Sequence, residues 1–355
     1  MTPDQARQFH RKGYLKLPGV VPKTMALQAR RLIFERMGEL RRAAQRTLRE
    51  RDHEFLTEAT QFMFRSGETS IFVDLYDQTP VRKILERALG ASSFALRGAQ
   101  LATLFPSNND EETNETGYLN RDTPHLGWSG HLDGLWNGGT SPPRAGTHIR
   151  GRHLAAWQRE PSTNGLHKTF PEHCVNLTNF TALVGIALSD QRLAGCGNLG
   201  LLPGGHLHMQ NFFQMQRDAG GPLGPDGPGW KREDEKAPNK HGLRHYPDDL
   251  RSQYKNAVTT PDGKIWPEPT LVRLNVGDAV IVHFSTPHGG TRVTTSDPRL
   301  MVYFRCTTNT RPDANRHHYP DALCDNLLEW PGVARHIKRT RRRTAVNKGT
   351  KQGKG

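Results

Sequence analysis

His131-Leu132-Asp133 sets an imidazole and a carboxylate two residues apart, and in extended backbone residues i and i+2 project to the same face. Both side chains can then reach one metal ion. Alone the pattern is weak: 17 His and 35 Asp plus Glu in 355 residues give about 1.7 His-x-acid triplets by chance, so a third ligand must come from elsewhere. His288, in Thr286-Pro287-His288-Gly289-Gly290, is the candidate, and Gly289-Gly290 leaves space against it. Two imidazoles and one carboxylate with open coordination positions suit ferrous iron. Arg299, eleven residues beyond His288, carries the planar fork that pairs both oxygens of a carboxylate and would clamp a dicarboxylate cosubstrate. The competing readings are a loop histidine paired with an aspartate, a turn histidine after a proline, and a salt-bridged strand arginine.

These residues need strand ends to hold them. Residues 274–284 read as a Gly-Asp turn followed by a β-rich run that delivers His288, and 300–306 read as a further strand headed by Arg299. Residues 181–189 read as a buried strand and 199–202 as a short one. At the beginning, Thr2-Pro3-Asp4-Gln5 is a helix start, with Thr as N-cap, Pro in the first turn and Gln completing a capping box; the helix stops at Gly13. A short strand over 15–21 follows. Pro22 opens a longer helix, with Met25, Ala29, Leu32, Ile33, Met37 and Leu40 recurring at three or four and arginines elsewhere on its circumference.

Four stretches resemble the phytanoyl-CoA dioxygenase family of iron- and 2-oxoglutarate-dependent oxygenases: residues 2–21, 128–134, 197–207 and 277–299. They occur in the family's order and reach to about residue 306. The resemblance implies a mainly β protein with flanking helices, a double-stranded β-helix or jelly roll with amino-terminal helices packed outside. It implies Fe(II) on His131, Asp133 and His288, 2-oxoglutarate on Arg299, O2 as the oxidant, and release of succinate and CO2 as a small organic molecule is oxidised, with hydroxylation the expected outcome. Gln100 and Thr103, on a strand that can face the cavity, and Thr291, after the last ligand, are further candidate cosubstrate contacts, with ordinary barrel packing as the alternative for each. Trp128 and Trp136 bracket the first ligands and can wall a substrate pocket or simply fill core. His125, His148, His153, His167 and His173 are unranked candidates for substrate contact, whereas His206 falls in a structural turn of the family pattern.

The expected oxygenase domain is 1–334, with amino-terminal helices over 2–52, a barrel over about 94–306, insertions at 134–179 and 209–270, and a basic disordered tail at 335–355. The Gly and Pro of the second insertion argue against regular structure, apart from a helical turn within 246–254. A hydrophobic fraction of 34% and a mean hydropathy of −0.71 fit long polar loops around a core, and no apolar run reaches the roughly 20 residues of a membrane span. Four cysteines without metal spacing read as reduced thiols. The expected location is cytoplasmic, with no membrane partner. Of the net charge of +14, nine Lys and Arg with no acid lie from residue 335 onward, so +5 is left for the rest. Nucleic acid or another polyanion is therefore expected only through the tail, where 338–343 can be a nuclear address, an anchor or a solvating segment. A nucleic-acid-directed protein and a catalytically idle jelly-roll binding module are the alternatives from other classes.

Overall fold

The structure is a computed structural model that describes residues 1–47, 70–93, 100–106, 118–132, 180–220, 248–261, 263–310 and 320–339, with positions 96, 99, 111, 223, 228–230 and 246 between them. Helix α1 (Pro3–Lys12) begins as its sequence dictates: the Gln5 backbone N–H donates to Thr2 Oγ1 at 3.2 Å and the Thr2 N–H to Gln5 Oε1 at 2.8 Å. Gly13 ends it at φ 75°, and a Cβ there would lie 2.3 Å from Thr286 Oγ1 and 2.5 Å from His206 Nδ1. Glycine is thus required twice, for the left-handed turn and for the close approach. Strand β1 (Tyr14–Leu17) follows, then helices α2 (Lys23–Thr47), α3 (Ser70–Asp77) and α4 (Pro80–Leu89).

β1 is part of the main sheet. It pairs antiparallel with β8 (Ala279–His283), and the five-stranded order is β1-β8-β3-β10-β2, with β2 Gln100–Leu104, β3 Ala182–Ala187 and β10 Arg299–Cys306. The sheet therefore begins near residue 14 rather than 94, because a strand this short takes its place from its partner. A second sheet orders β7 (Thr270–Val272), β4 (Leu199–Leu201) and β9 (His288–Gly290), and β5 (Val258–Thr259) with β6 (Ile265–Trp266) forms a separate pair. The described chain is thus a mixed fold of helices and antiparallel sheets. Along β10, Leu300, Val302 and Phe304 pack with the helices, while Met301 and Tyr303 share a second core with Leu199, Leu201 and Val272 of the smaller sheet. Both faces of the main sheet are buried, each fully buried aliphatic side chain contributing about 1.5–3 kcal/mol.

Two expectations need correction. Within the segment 209–270 a helix, α5 (Gly205–Asp218), buries Met209, Phe213 and Gln216. Proline and glycine are absent from 206 to 218 and crowd only after it, so the composition of the whole segment hid a helical tract at its start. Leu223, Trp230, Tyr246 and Leu250 beyond it join the second core, and α6 (Asp248–Arg251) supplies the expected helical turn. The carboxyl-terminal boundary also moves. After α7 (Pro320–Cys324), helix α8 spans 331–339, with Val333 fully buried and Ile337 packed on the helix-side core. The basic residues Arg335, Lys338 and Arg339 are the outer face of that helix. A chain ending at Ala334 is expected to melt a few °C below one ending at Arg339, since it loses the last turn and the Ile337 contact; equal thermal midpoints would return the boundary to 334.

A buried polar network ties α1, α5 and β8 together. His206 Nε2 donates to the His10 carbonyl at 3.0 Å, His283 Nε2 donates to the Asn326 carbonyl at 3.0 Å, and Asn326 Nδ2 donates to the His206 carbonyl at 2.7 Å. Burial lowers the His206 pKa to about 4 against the bond to His10, and burial with the nearby His206 ring holds His283 well below its usual range. Both rings stay neutral in the folded chain but take up protons near pH 6.5 when it unfolds. Their contribution is therefore present above pH 6.5 and lost as pH falls from 6.5 toward 4, at about 1.4 kcal/mol per unit for each ring. Denaturant unfolding at pH 5 is expected to give a free energy at least about 2 kcal/mol below that at pH 7.5. Equal values would show that the rings are not held neutral.

Candidate metal and cosubstrate site

His131 and His288 face each other across an antiparallel bridge, the His131 N–H donating to the His288 carbonyl at 2.7 Å and the His288 N–H to the His131 carbonyl at 3.0 Å. Directly opposed residues of such a pair project to one face. Their ring centroids lie 4.8 Å apart at an interplanar angle of 48°. Two imidazoles bound at roughly right angles to one divalent ion would have centroids about 4.5 Å apart, given metal–nitrogen distances of about 2.1 Å. His288 Nδ1 lies 2.9 Å from the Thr286 carbonyl. A carbonyl only accepts, so Nδ1 carries the proton and Nε2 the lone pair that a metal needs. Leu132 between the ligand positions is buried, and Asp133 lies outside the described residues.

Arg299 comes to this pair from the other sheet. Its side chain is buried, Nη1 donates to the Gly197 carbonyl at 3.2 Å, Nε has no hydrogen-bond partner, and no carboxylate pairs with it among the described residues. Burial lowers its pKa, with the Tyr303 phenol opposing, yet a guanidinium stays charged. A buried cation without a carboxylate partner among the described residues is costly, and an anion beside it would offset that cost. The way in is Gly290, two residues past His288. A Cβ there would sit 3.1 Å from Arg299 Nη1 and 3.3 Å from Leu104 Cδ1.

A cavity of about 380 Å3 opens along this side, touching Gly290 and Ser129, each two residues from one histidine of the bridge. Gly130, between Ser129 and His131, is at φ 39°, so strand alternation does not run through it, and neither the two histidines nor Arg299 is among the residues lining the cavity. Thr291 also lines the cavity and is buried, its Oγ1 donating to the Asn198 carbonyl at 3.0 Å. Sequence reasoning missed Asn120, Thr123, Trp266 and Arg292 of the same wall. Arg292 lies four residues past His288, but neither its type nor its spacing marked it, and Asn120, Thr123 and Trp266 lie farther from the ligand segments.

The remaining expected site residues fall elsewhere. Thr103 pairs with Leu300 in the register, on the face packed against the helices and opposite to Arg299. Gln100 is exposed and accepts from Arg305 Nη1 at 2.7 Å, at the far end of β2 from the Arg299 partner Leu104. Neither is brought to the cavity. Trp128 is fully buried beneath the smaller sheet, its Nε1 donating to the Gly200 carbonyl at 3.1 Å, and a Cβ at Gly130 or Gly200 would lie 2.4 or 2.6 Å from its indole. It braces the bridge from behind instead of walling a pocket. His125 is half-buried at φ 55°, with burial lowering its pKa against the Trp266 carbonyl and Glu268. Trp136, His148, His153, His167 and His173, with the whole segment 134–179, lie outside the described residues. Among the described residues no helix is long and apolar enough to cross a membrane.

No protein-family model matches the chain, and no curated protein sequence matches it. Solved structures that resemble it include HygX from Streptomyces hygroscopicus with nickel and 2-oxoglutarate bound, at 13% identity over 90% of this chain and 96% of that one, with a TM-score of 0.43. The non-heme alpha-ketoglutarate-dependent carbocyclase SnoK from nogalamycin biosynthesis is similar at 14% identity, over 87% of this chain and 86% of its own, with a TM-score of 0.39. A nickel complex of the non-heme monooxygenase ThoJ is similar at 13% identity, over 97% and 99%, with a TM-score of 0.37. Likenesses of this degree carry no argument about activity, which has to be made from the site.

Proposed function

We propose that the chain is an Fe(II)- and 2-oxoglutarate-dependent oxygenase of the phytanoyl-CoA dioxygenase type, built on a double-stranded β-helix and hydroxylating a small organic molecule. The observation that carries this is Arg299, a buried guanidinium with no carboxylate partner among the described residues, held beside Gly290, which lies two residues past a histidine that pairs across a bridge with a second histidine. His131 and His288 would hold the iron, with Asp133 as the third ligand by its place in the sequence. Iron so held, with 2-oxoglutarate and O2, would supply the oxidising chemistry and leave succinate and CO2. The chain's own part is positional. The Thr286 carbonyl fixes the His288 tautomer, Trp128 props the bridge, and Arg299 sets where a dicarboxylate lies by pairing its far end.

The test is anaerobic addition of Fe(II) and 2-oxoglutarate to the full chain. A metal-to-ligand charge-transfer absorption band that requires both components is expected. Stoichiometric iron binding without the band at saturating 2-oxoglutarate would overturn the cosubstrate assignment and leave a metal-binding module.

A further inference from the structure

The cavity beside the histidines has an asymmetric chemistry. Its wall carries hydroxyls, one carboxamide and one guanidinium, Arg292, against apolar surface from Phe105, Leu126 and Trp266, and among the described residues no Asp or Glu lines it. Arg292 is half-buried, and its guanidinium meets only neutral acceptors: Nη2 donates to the Arg121 carbonyl at 3.2 Å and Nη1 to Thr123 Oγ1 at 3.5 Å, the outer limit of a hydrogen bond. Nε has no partner and is shielded from solvent. Glu111 and Asp122, among the described residues, pair with Arg121 instead. Among the described residues no carboxylate pairs with Arg292, while its backbone N–H donates to the Leu126 carbonyl at 2.8 Å and fixes the residue against the 120–127 loop. Arg299 adds a second positive charge just behind Gly290. A small cavity with one guanidinium on its wall, a second behind Gly290 and no acid on the wall among the described residues favours an anion, and a volume of about 380 Å3 lies within the range of small-molecule sites, about 300–1,000 Å3.

We infer that this cavity takes a substrate with an apolar body and one anionic group, carboxylate or phosphate, and that Arg292 is the residue that recognises the anion. The inference rests on the oxygenase reading for calling the ligand a substrate, but the anion site itself stands on the wall chemistry. Arg292 can offer a bidentate fork to an acid, with Thr123 and Asn120 on the same wall. The apolar wall then receives the rest of the molecule. A neutral isostere of the acid would leave the guanidinium without a counter-charge, so the site turns the isostere away as well as attracting the acid.

The experiment is a calorimetric titration of the full chain, anaerobic with Fe(II), using phenylacetate, phenyl phosphate and phenylacetamide, with and without saturating 2-oxoglutarate. At least one acid is expected to bind ten-fold or more tighter than the amide and to remain bound when 2-oxoglutarate is present. Arg292→Gln should bring the acid down to the amide's affinity, and Arg292→Lys should keep part of the preference, with the charge-transfer band as the check that the site is folded. Equal binding of acid and amide, no binding of any probe at millimolar concentration, displacement of the acid by 2-oxoglutarate, or an acid preference that survives in Arg292→Gln would each overturn the assignment. Acid binding that depends on Arg292 in a chain that gives no charge-transfer band would instead keep the anion site and discard the oxygenase reading.

Discussion

His288→Ala is expected to reduce substrate-coupled consumption of 2-oxoglutarate by at least about 100-fold and to cut bound iron to a small fraction of one per chain. The residue is 4% exposed, its Nδ1 is fixed on the Thr286 carbonyl, and its ring sits 4.8 Å from that of His131, so the substitution removes one of the two paired imidazoles proposed to hold the iron. The backbone bridge to His131 does not use the side chain and should persist. Metal analysis and succinate formation measure the effect, and the thermal midpoint reports whether the fold survives. Iron content and turnover that persist in a folded His288→Ala protein would remove the histidine pair from the metal site.

Arg299→Lys should raise the apparent KM for 2-oxoglutarate ten-fold or more, a loss of at least about 1.4 kcal/mol, with a smaller effect on kcat. An ammonium keeps the charge but not the fork, and it is more costly to bury because it is more strongly hydrated. Gly290→Val tests the same slot from the other wall, since its Cβ alone would stand 3.1 Å from Arg299 Nη1. Both variants should weaken the charge-transfer band at a fixed 2-oxoglutarate concentration while iron binding holds. If the KM in Arg299→Lys is unchanged, the cosubstrate carboxylate lies elsewhere, and the unpaired guanidinium needs another anion.

Much of the local structure was legible in the chain because short-range chemistry decides it. Thr2, Gln5 and Gly13 delimit α1 through bonds that span three or four residues, and the β-rich runs before His288 and after Arg299 became β8 and β10. The spacing of His131, Asp133, His288 and Arg299 posed a metal site as the chemical question, and the bridge brings the two histidines to one face. Which face of a strand meets the cavity was another matter. Alternation tells which residues share a face, but Leu300-Met301-Val302-Tyr303-Phe304 is apolar at every position because the main sheet is covered on both sides, so polarity gives no sign of inside or outside. Thr103 read equally as a cavity contact or as ordinary packing for that reason. The helix α5 was hidden by averaging over a Gly- and Pro-rich neighbourhood, and α8 by a run of charge that is only its solvent face. Arg292 carried no signal at all in the sequence: its lack of an acid is a property of what surrounds it, and only the packing of the 120–127 loop against the strand end at Gly290 puts it on the cavity wall.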